Sequence, residues 1–178
     1  MNSKQRVQNA ICHKKTDRPP VYSSLTPQIA EKLARHLGVP LEEPANSLLG
    51  SRCSYTKLLQ LLGNDLVGVA ACYPDDKPVV TTPDGLMINE WGMVFKACGL
   101  YTEFHRFPLA QAETVNDILN YHFPDPHAPG RFRLAESVIA EYGSEYGIVG
   151  DLETCIFETS WYLVGLEKFL MDLLTEAP

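Results

Sequence analysis

Residues 146–174 constrain the fold of this chain more than any other stretch. Tyr146-Gly147-Ile148-Val149-Gly150 is a short apolar run that ends on Asp151-Leu152-Glu153-Thr154. From Cys155 to Leu174, Ile156, Leu163, Leu166, Leu170 and Leu173 then recur at helical spacing. The pattern predicts a buried strand, a short acidic turn and a long amphipathic helix. Strand, turn and helix form the repeating unit of α/β folds, and the turns of such folds carry the chemistry. Gly165 falls inside the expected helix, where glycine costs about 1 kcal/mol relative to alanine, so close packing is expected at that point.

Other stretches repeat the unit. Residues 3–14 suit a helix ended by Asp17-Arg18-Pro19-Pro20, because proline lacks an amide proton and disfavours helix in its predecessor. Val21-Tyr22-Ser23-Ser24-Leu25 predicts a first strand, and Thr26-Pro27 opens a helix carrying Ile29, Leu33 and Leu37 that Gly38 closes. A helix over Ser54 to Leu62 leads to Asp65–Cys72, an apolar run without alternation, as in a strand covered on both faces. From Val79 to Phe107 the period changes to two, with turns at Pro83-Asp84-Gly85 and Cys98-Gly99. This predicts an inserted hairpin of Met87–Lys96 and Leu100–Phe107. Thr114 caps a short helix, and Phe132, Ala135, Ile139 and Tyr142 mark the helix that returns to the last strand.

Parallel strands with covering helices point to a doubly wound sheet or a (β/α)8 barrel. A full barrel takes about 250 residues, so 178 residues predict an incomplete one. The expectation is an α/β fold, the N-terminal part of a (β/α)8 TIM barrel over residues 1–178, with 79–107 as an inserted hairpin. Cutting a barrel there exposes a strand edge, through which the chain would self-associate.

The net charge of −7 argues against a nucleic-acid surface, which needs an excess of Lys and Arg. No apolar run is long enough to span a bilayer, and residues 1–6 lead into a polar helix, so a cytoplasmic protein is expected. Five widely spaced cysteines without a Cys-x-x-Cys pair predict reduced, mostly buried thiols.

Asp151 and Glu153 stand where a strand passes into a helix, and Asp75 and Asp76 follow the Asp65–Cys72 run in the same way. All four are candidate catalytic carboxylates for general acid/base work or polar substrate contact. Glu158, Tyr73 and Trp91 are candidate substrate contacts, although acids also suit a helix N-terminus and a Trp in a strand more often fills a core. His122 and His127 flank Asp125 in a loop broken by prolines with no third ligand nearby, so no metal site is expected within this chain.

Several segments, in order, resemble the uroporphyrinogen decarboxylase family. They are Asp17-Arg18-Pro19-Pro20-Val21, Leu62-Gly63-Asn64-Asp65, Asn89-Glu90-Trp91-Gly92, Phe107-Pro108-Leu109, Phe123-Pro124-Asp125-Pro126, and Leu163-Val164-Gly165-Leu166-Glu167 through Asp172. The resemblance implies the N-terminal half of a (β/α)8 barrel. Where the decarboxylase branch carries an arginine-rich run after its first strand, this chain reads Val21-Tyr22-Ser23-Ser24-Leu25, and Cys72 takes the place of that branch's aspartate. The resemblance is closer to the corrinoid-dependent methyltransferase branch. It implies a zinc ion held by the C-terminal half, a corrinoid carrier protein as partner, and a methyl group moved to a thiol or small substrate. Porphyrinogen decarboxylation, and a non-catalytic domain associating through its strand edge, are the alternatives.

Overall fold

A computed structural model describes residues 1–45, 50–99, 101–152 and 156–175. The fold is mixed α/β, with one parallel and one antiparallel sheet and no closed barrel. It divides into two units, Met1–Cys72 with Gly130–Glu153, and Tyr73–Pro129 with Thr154–Pro178. No helix among the described residues is long and apolar enough to cross a membrane.

The first unit is built on two strands, β1 (Leu66–Val69) and β6 (Gly147–Gly150), paired in parallel with Leu66 opposite Gly147 and Val69 opposite Gly150. Helix α5 (Arg133–Tyr142) connects back into β6 and covers one face, packing Val138, Leu134 and Ala135 with Val67, Val69 and Ile148. Helix α1 (Ser3–Ile11) covers the other face. A Cβ on Gly147 would lie 3.1 Å from Val7, so glycine sets how closely that helix approaches. Both faces are thus covered, which is why the sequence there reads as an unbroken apolar run. A second cluster of Ala30, Ala34, Tyr55 and Leu58 seats α2 (Pro27–Leu37) against α3 (Thr56–Leu61). Gly38 ends α2 at φ +66, while Thr26 stands at the N-cap without a side-chain hydrogen bond.

The expected first strand is corrected. Val21–Leu25 joins no ladder. Its polar groups are taken by Asn64 and Asp65: the Val21 N–H donates to the Asp65 carboxylate, the Asp65 N–H donates to the Val21 carbonyl, and the Asn64 amide donates to the Ser23 carbonyl. Asp65 is fully buried and accepts from Arg6 (2.5 Å), Arg18 (2.5 and 3.0 Å) and Ser3 (2.8 Å), while Arg6 also donates to Asp17. Burial pushes the Asp65 carboxyl up, but the bonds from Val21, Arg18, Ser3 and Arg6 outweigh it and hold it below the usual carboxylate range. At the far end of β1, Cys72 and Arg131 clasp each other: the Cys72 N–H donates to the Arg131 carbonyl, and the buried Arg131 guanidinium donates to the Cys72 carbonyl.

The second unit is a four-stranded antiparallel meander: β2 (Val80–Thr81), β3 (Leu86–Ile88), β4 (Val94–Cys98) and β5 (Tyr101–Arg106). The single strand expected at Met87–Lys96 is corrected to β3, a turn at Asn89–Gly92, and β4. Helix α4 (Val115–Leu119) begins at Thr114 with a reciprocal cap to Asp117, as read from the sequence. The long terminal helix is corrected to two, α6 (Ile156–Val164) and α7 (Leu166–Thr175), broken where Gly165 adopts φ +94. Of its apolar stripe Leu163 packs within this unit against Met93 and Leu109, while Ile156, Leu166, Leu170 and Leu173 are exposed. The close packing expected at Gly165 is present: a Cβ there would lie 3.3 Å from the Phe107 ring.

Candidate functional site

The parallel pair positions the first candidate residue. The Asp151 N–H donates to the Val69 carbonyl at 2.9 Å, extending the register by one step beyond Gly150. Asp151 therefore stands at the C-terminal end of both strands, where open α/β sheets and barrels place their ligands. Its carboxylate accepts from the Arg52 guanidinium, Nε at 3.2 Å and Nη2 at 2.9 Å, both to the same oxygen. Arg52 lies in a 3₁₀ turn at Gly50–Cys53. The Arg52 side chain is 45% exposed and that of Asp151 13%, so the more buried carboxylate orients a guanidinium that solvent still reaches.

Tyr22 completes this corner. A Cβ at Gly68 would overlap the Tyr22 hydroxyl and would lie 3.4 Å from the Cys53 sulfur. Glycine at this strand position thus allows a phenol and a thiol to approach the β1 backbone. Burial pushes the Tyr22 phenol up, with Cys53 and Asp151 acting in the same direction and Arg52 against them. The phenol is accordingly protonated at neutral pH and available as a hydrogen-bond donor. A cavity of about 10 Å³, lined by Tyr22, Arg52, Ser54, Thr56, Asn64 and Gly68, leaves room for about one water. Gly68→Ala should displace the Tyr22 hydroxyl while leaving the strand pair intact. The expected result is a tyrosine absorbance titration shifted down toward pH 10, with unchanged far-UV circular dichroism.

Asp151 is the only sequence-predicted site residue among the described residues of the first unit; Glu153 lies outside the described residues. Asp75 and Asp76 belong to the second unit, exposed on the turn after Pro74, where the Asp75 N–H donates to the Pro129 carbonyl at 3.0 Å. Tyr73 is half-buried, its phenol pushed up by burial first and by the Glu90 charge second. Trp91 sits in the β3–β4 turn, half-buried against the Met93–Leu109–Leu163 cluster. Glu158 is half-buried in the first turn of α6. Cys53 and Cys72 are buried, whereas Cys12 and Cys98 are exposed.

Sequence reasoning passed over Arg52 and Tyr22. Arg52 stood in a polar stretch without periodicity, and Tyr22 in a presumed strand. Gly68 inside an apolar run was the available signal, since glycine within a strand marks a close approach.

Among the described residues, no three or more His, Cys, Asp or Glu side chains are grouped to hold a metal ion. The described residues do not by themselves assemble such a group of zinc ligands. Compared with known proteins, the chain matches no family model, no curated protein and no solved structure.

Proposed function

We propose that this chain is the N-terminal part of a uroporphyrinogen decarboxylase-family barrel, of the branch that moves methyl groups between a corrinoid carrier protein and a small substrate or thiol. The observation that carries this reading is the Arg52–Asp151 pair at the C-terminal ends of two parallel strands joined by a crossover containing α5. A polar constellation at the ends of parallel strands is the usual site for chemistry in such folds. Two of the segments that carry the resemblance, Asp17-Arg18-Pro19-Pro20 and Leu62-Gly63-Asn64-Asp65, are joined through the Asp65 cluster. That contact gives their co-occurrence a physical reason.

In this reading Arg52 aims the Asp151 carboxylate, which accepts a hydrogen bond from substrate. Tyr22 donates from the floor of the same corner. Zinc belongs to this reading as an ion held by the C-terminal half of the barrel. A second reading, porphyrinogen decarboxylation, draws on Arg52, because a guanidinium at the strand ends suits a substrate carboxylate.

The protein that carries this chain should be assayed for transfer of the methyl group of methylcobalamin to a thiol, beside decarboxylation of uroporphyrinogen. Methyl transfer is the expected activity. Asp151→Asn should lower its kcat/KM by about tenfold or more, the scale of one lost charge-assisted hydrogen bond, while Tm moves by only a few degrees because the pair is partly exposed. Decarboxylation without methyl transfer would replace the first reading by the second. Full methyl-transfer activity in Asp151→Asn would remove Asp151 from the site.

A further inference from the structure

Helix α7 carries a row of leucines that stays open to solvent. Leu166, Leu170, Leu173 and Leu174 follow the i, i+4, i+7, i+8 spacing, so they lie within about 100° of the helix circumference. All four are exposed, from 43% at Leu170 to 79% at Leu174. The opposite side of the helix faces its own unit: Lys168 and Asp172, paired at 2.7 Å, line a cavity of about 90 Å³ with Glu113, Thr114 and Ile118. Phe169 borders the row beside Leu166 and Leu173, three and four positions away. Its ring meets that of Phe157 edge to face, with centroids 5.3 Å apart, so the first turn of α6 stands beside the middle of α7. Phe157 is itself exposed and widens the row.

We infer that this row is the contact surface of a homodimer in which α7 crosses its own copy antiparallel about Leu170. The four leucines and Phe157 present on the order of 500 Å² of apolar surface, the upper end for a free monomer. A standard interface takes about 800 Å² from each partner, about 60% of it apolar, so the row supplies the apolar share of one. It is also self-complementary. A two-fold axis through Leu170 sets Leu170 on its own copy and Leu166 on Leu174, four positions to either side. Charge agrees with that order. Lys168 and Asp172 neutralise each other on the far side of the helix, which leaves Glu167 as the charge of α7 at the margin of the row. Antiparallel crossing puts Glu167 against Leu173 and keeps the two Glu167 carboxylates at opposite ends, whereas a parallel order brings them level. One carboxylate gives little selection for a basic partner helix, so a second copy is the occupant this chemistry favours. The surface belongs to the second unit alone and does not depend on the methyl-transfer reading.

Sedimentation of the full chain over a concentration series should show a monomer–dimer equilibrium with a Kd of about 10 µM or tighter. Leu170→Lys places two ammonium groups on the axis and should weaken the dimer by about hundredfold or more. Circular dichroism and Tm should not change, because the position is already exposed in the single chain. Tyr101→Lys, at an aromatic 77% exposed on β5, should leave the dimer as it is. Oxidative crosslinking reads the arrangement, in a Cys12→Ser/Cys98→Ser background that removes the two exposed thiols among the described residues. Leu170→Cys should then link to its own copy, and Leu166→Cys only when Leu174→Cys is present as well. A monomer at every concentration up to about 100 µM overturns the dimer, and co-sedimentation of that monomer with phosphatidylcholine vesicles would give the row to a lipid surface instead. A dimer that Leu170→Lys leaves intact overturns the surface, and crosslinking of Leu166→Cys alone overturns the antiparallel order.

Discussion

Asp65→Ala is expected to destabilise the first unit by about 3–5 kcal/mol, nearer the lower figure because Arg18 is partly exposed. The reason is asymmetry. The Asp65 side chain is wholly inaccessible and receives two guanidiniums, a hydroxyl and a backbone N–H. Removing it leaves Arg6, itself only 8% exposed at its side chain, with a buried charge and a single remaining carboxylate, Asp17. Asp65→Asn should cost nearly as much, since an amide keeps the shape but meets two cations without charge. Arg18→Ala should cost less, because 43% of that side chain already faces water. Urea denaturation of the three variants gives the order directly. Equal midpoints for Asp65→Ala and the parent chain would show that the cluster contributes nothing net. The same cluster sets an acid limit. The folded-state carboxyls of Asp65 and Asp17 both lie below their unfolded values, Asp65 against its burial and Asp17 chiefly through Arg6. Their contribution is present in full above the unfolded carboxylate value near pH 4 and is lost as pH falls toward and through the lower folded values.

Features decided within a few residues were legible in the sequence. Thr114 caps α4, Gly38 closes α2, and the apolar run at Leu66–Val69 is a strand covered on both faces, because each depends on local sterics or on a short periodic pattern. Features decided by a distant partner were not. Arg52 gains its place from Asp151, 99 residues away, and nothing near Arg52 marks it. Val21–Leu25 has strand-like composition, yet Asn64 and Asp65, through their side chains and the Asp65 N–H, occupy backbone groups that a ladder would need. Trp91 was read inside a strand because Met87–Lys96 keeps a period of two on either side of a turn that Asn89 and Gly92 create. The terminal stripe illustrates the limit of periodicity: Leu163, Leu166 and Leu170 hold helical spacing, but spacing does not report φ at Gly165.

That glycine carries the second large effect. Gly165→Val is expected to destabilise the second unit by about 3 kcal/mol. Residue 165 adopts φ +94, a conformation that L-residues enter at about 1–2 kcal/mol and β-branched residues hardly at all. Its Cβ would also stand 3.3 Å from Cδ2 of Phe107, inside ordinary contact, and overpacking of that kind costs about 1–3 kcal/mol. Phe107 cannot yield freely, since it stacks on Phe104 at 5.2 Å, and Phe104 packs in turn on Trp161 and Tyr162. The two causes separate in a cycle with Phe107→Leu. If crowding dominates, the smaller side chain recovers most of the loss, and the coupling energy is large. If backbone strain dominates, the two changes add, and Gly165→Ala alone shows most of the effect. Either result keeps glycine as the residue that divides α6 from α7. A Gly165→Val chain with unchanged thermal stability would instead require that α6 run directly into α7, straightening the C-terminal segment into the single helix that its leucine spacing describes.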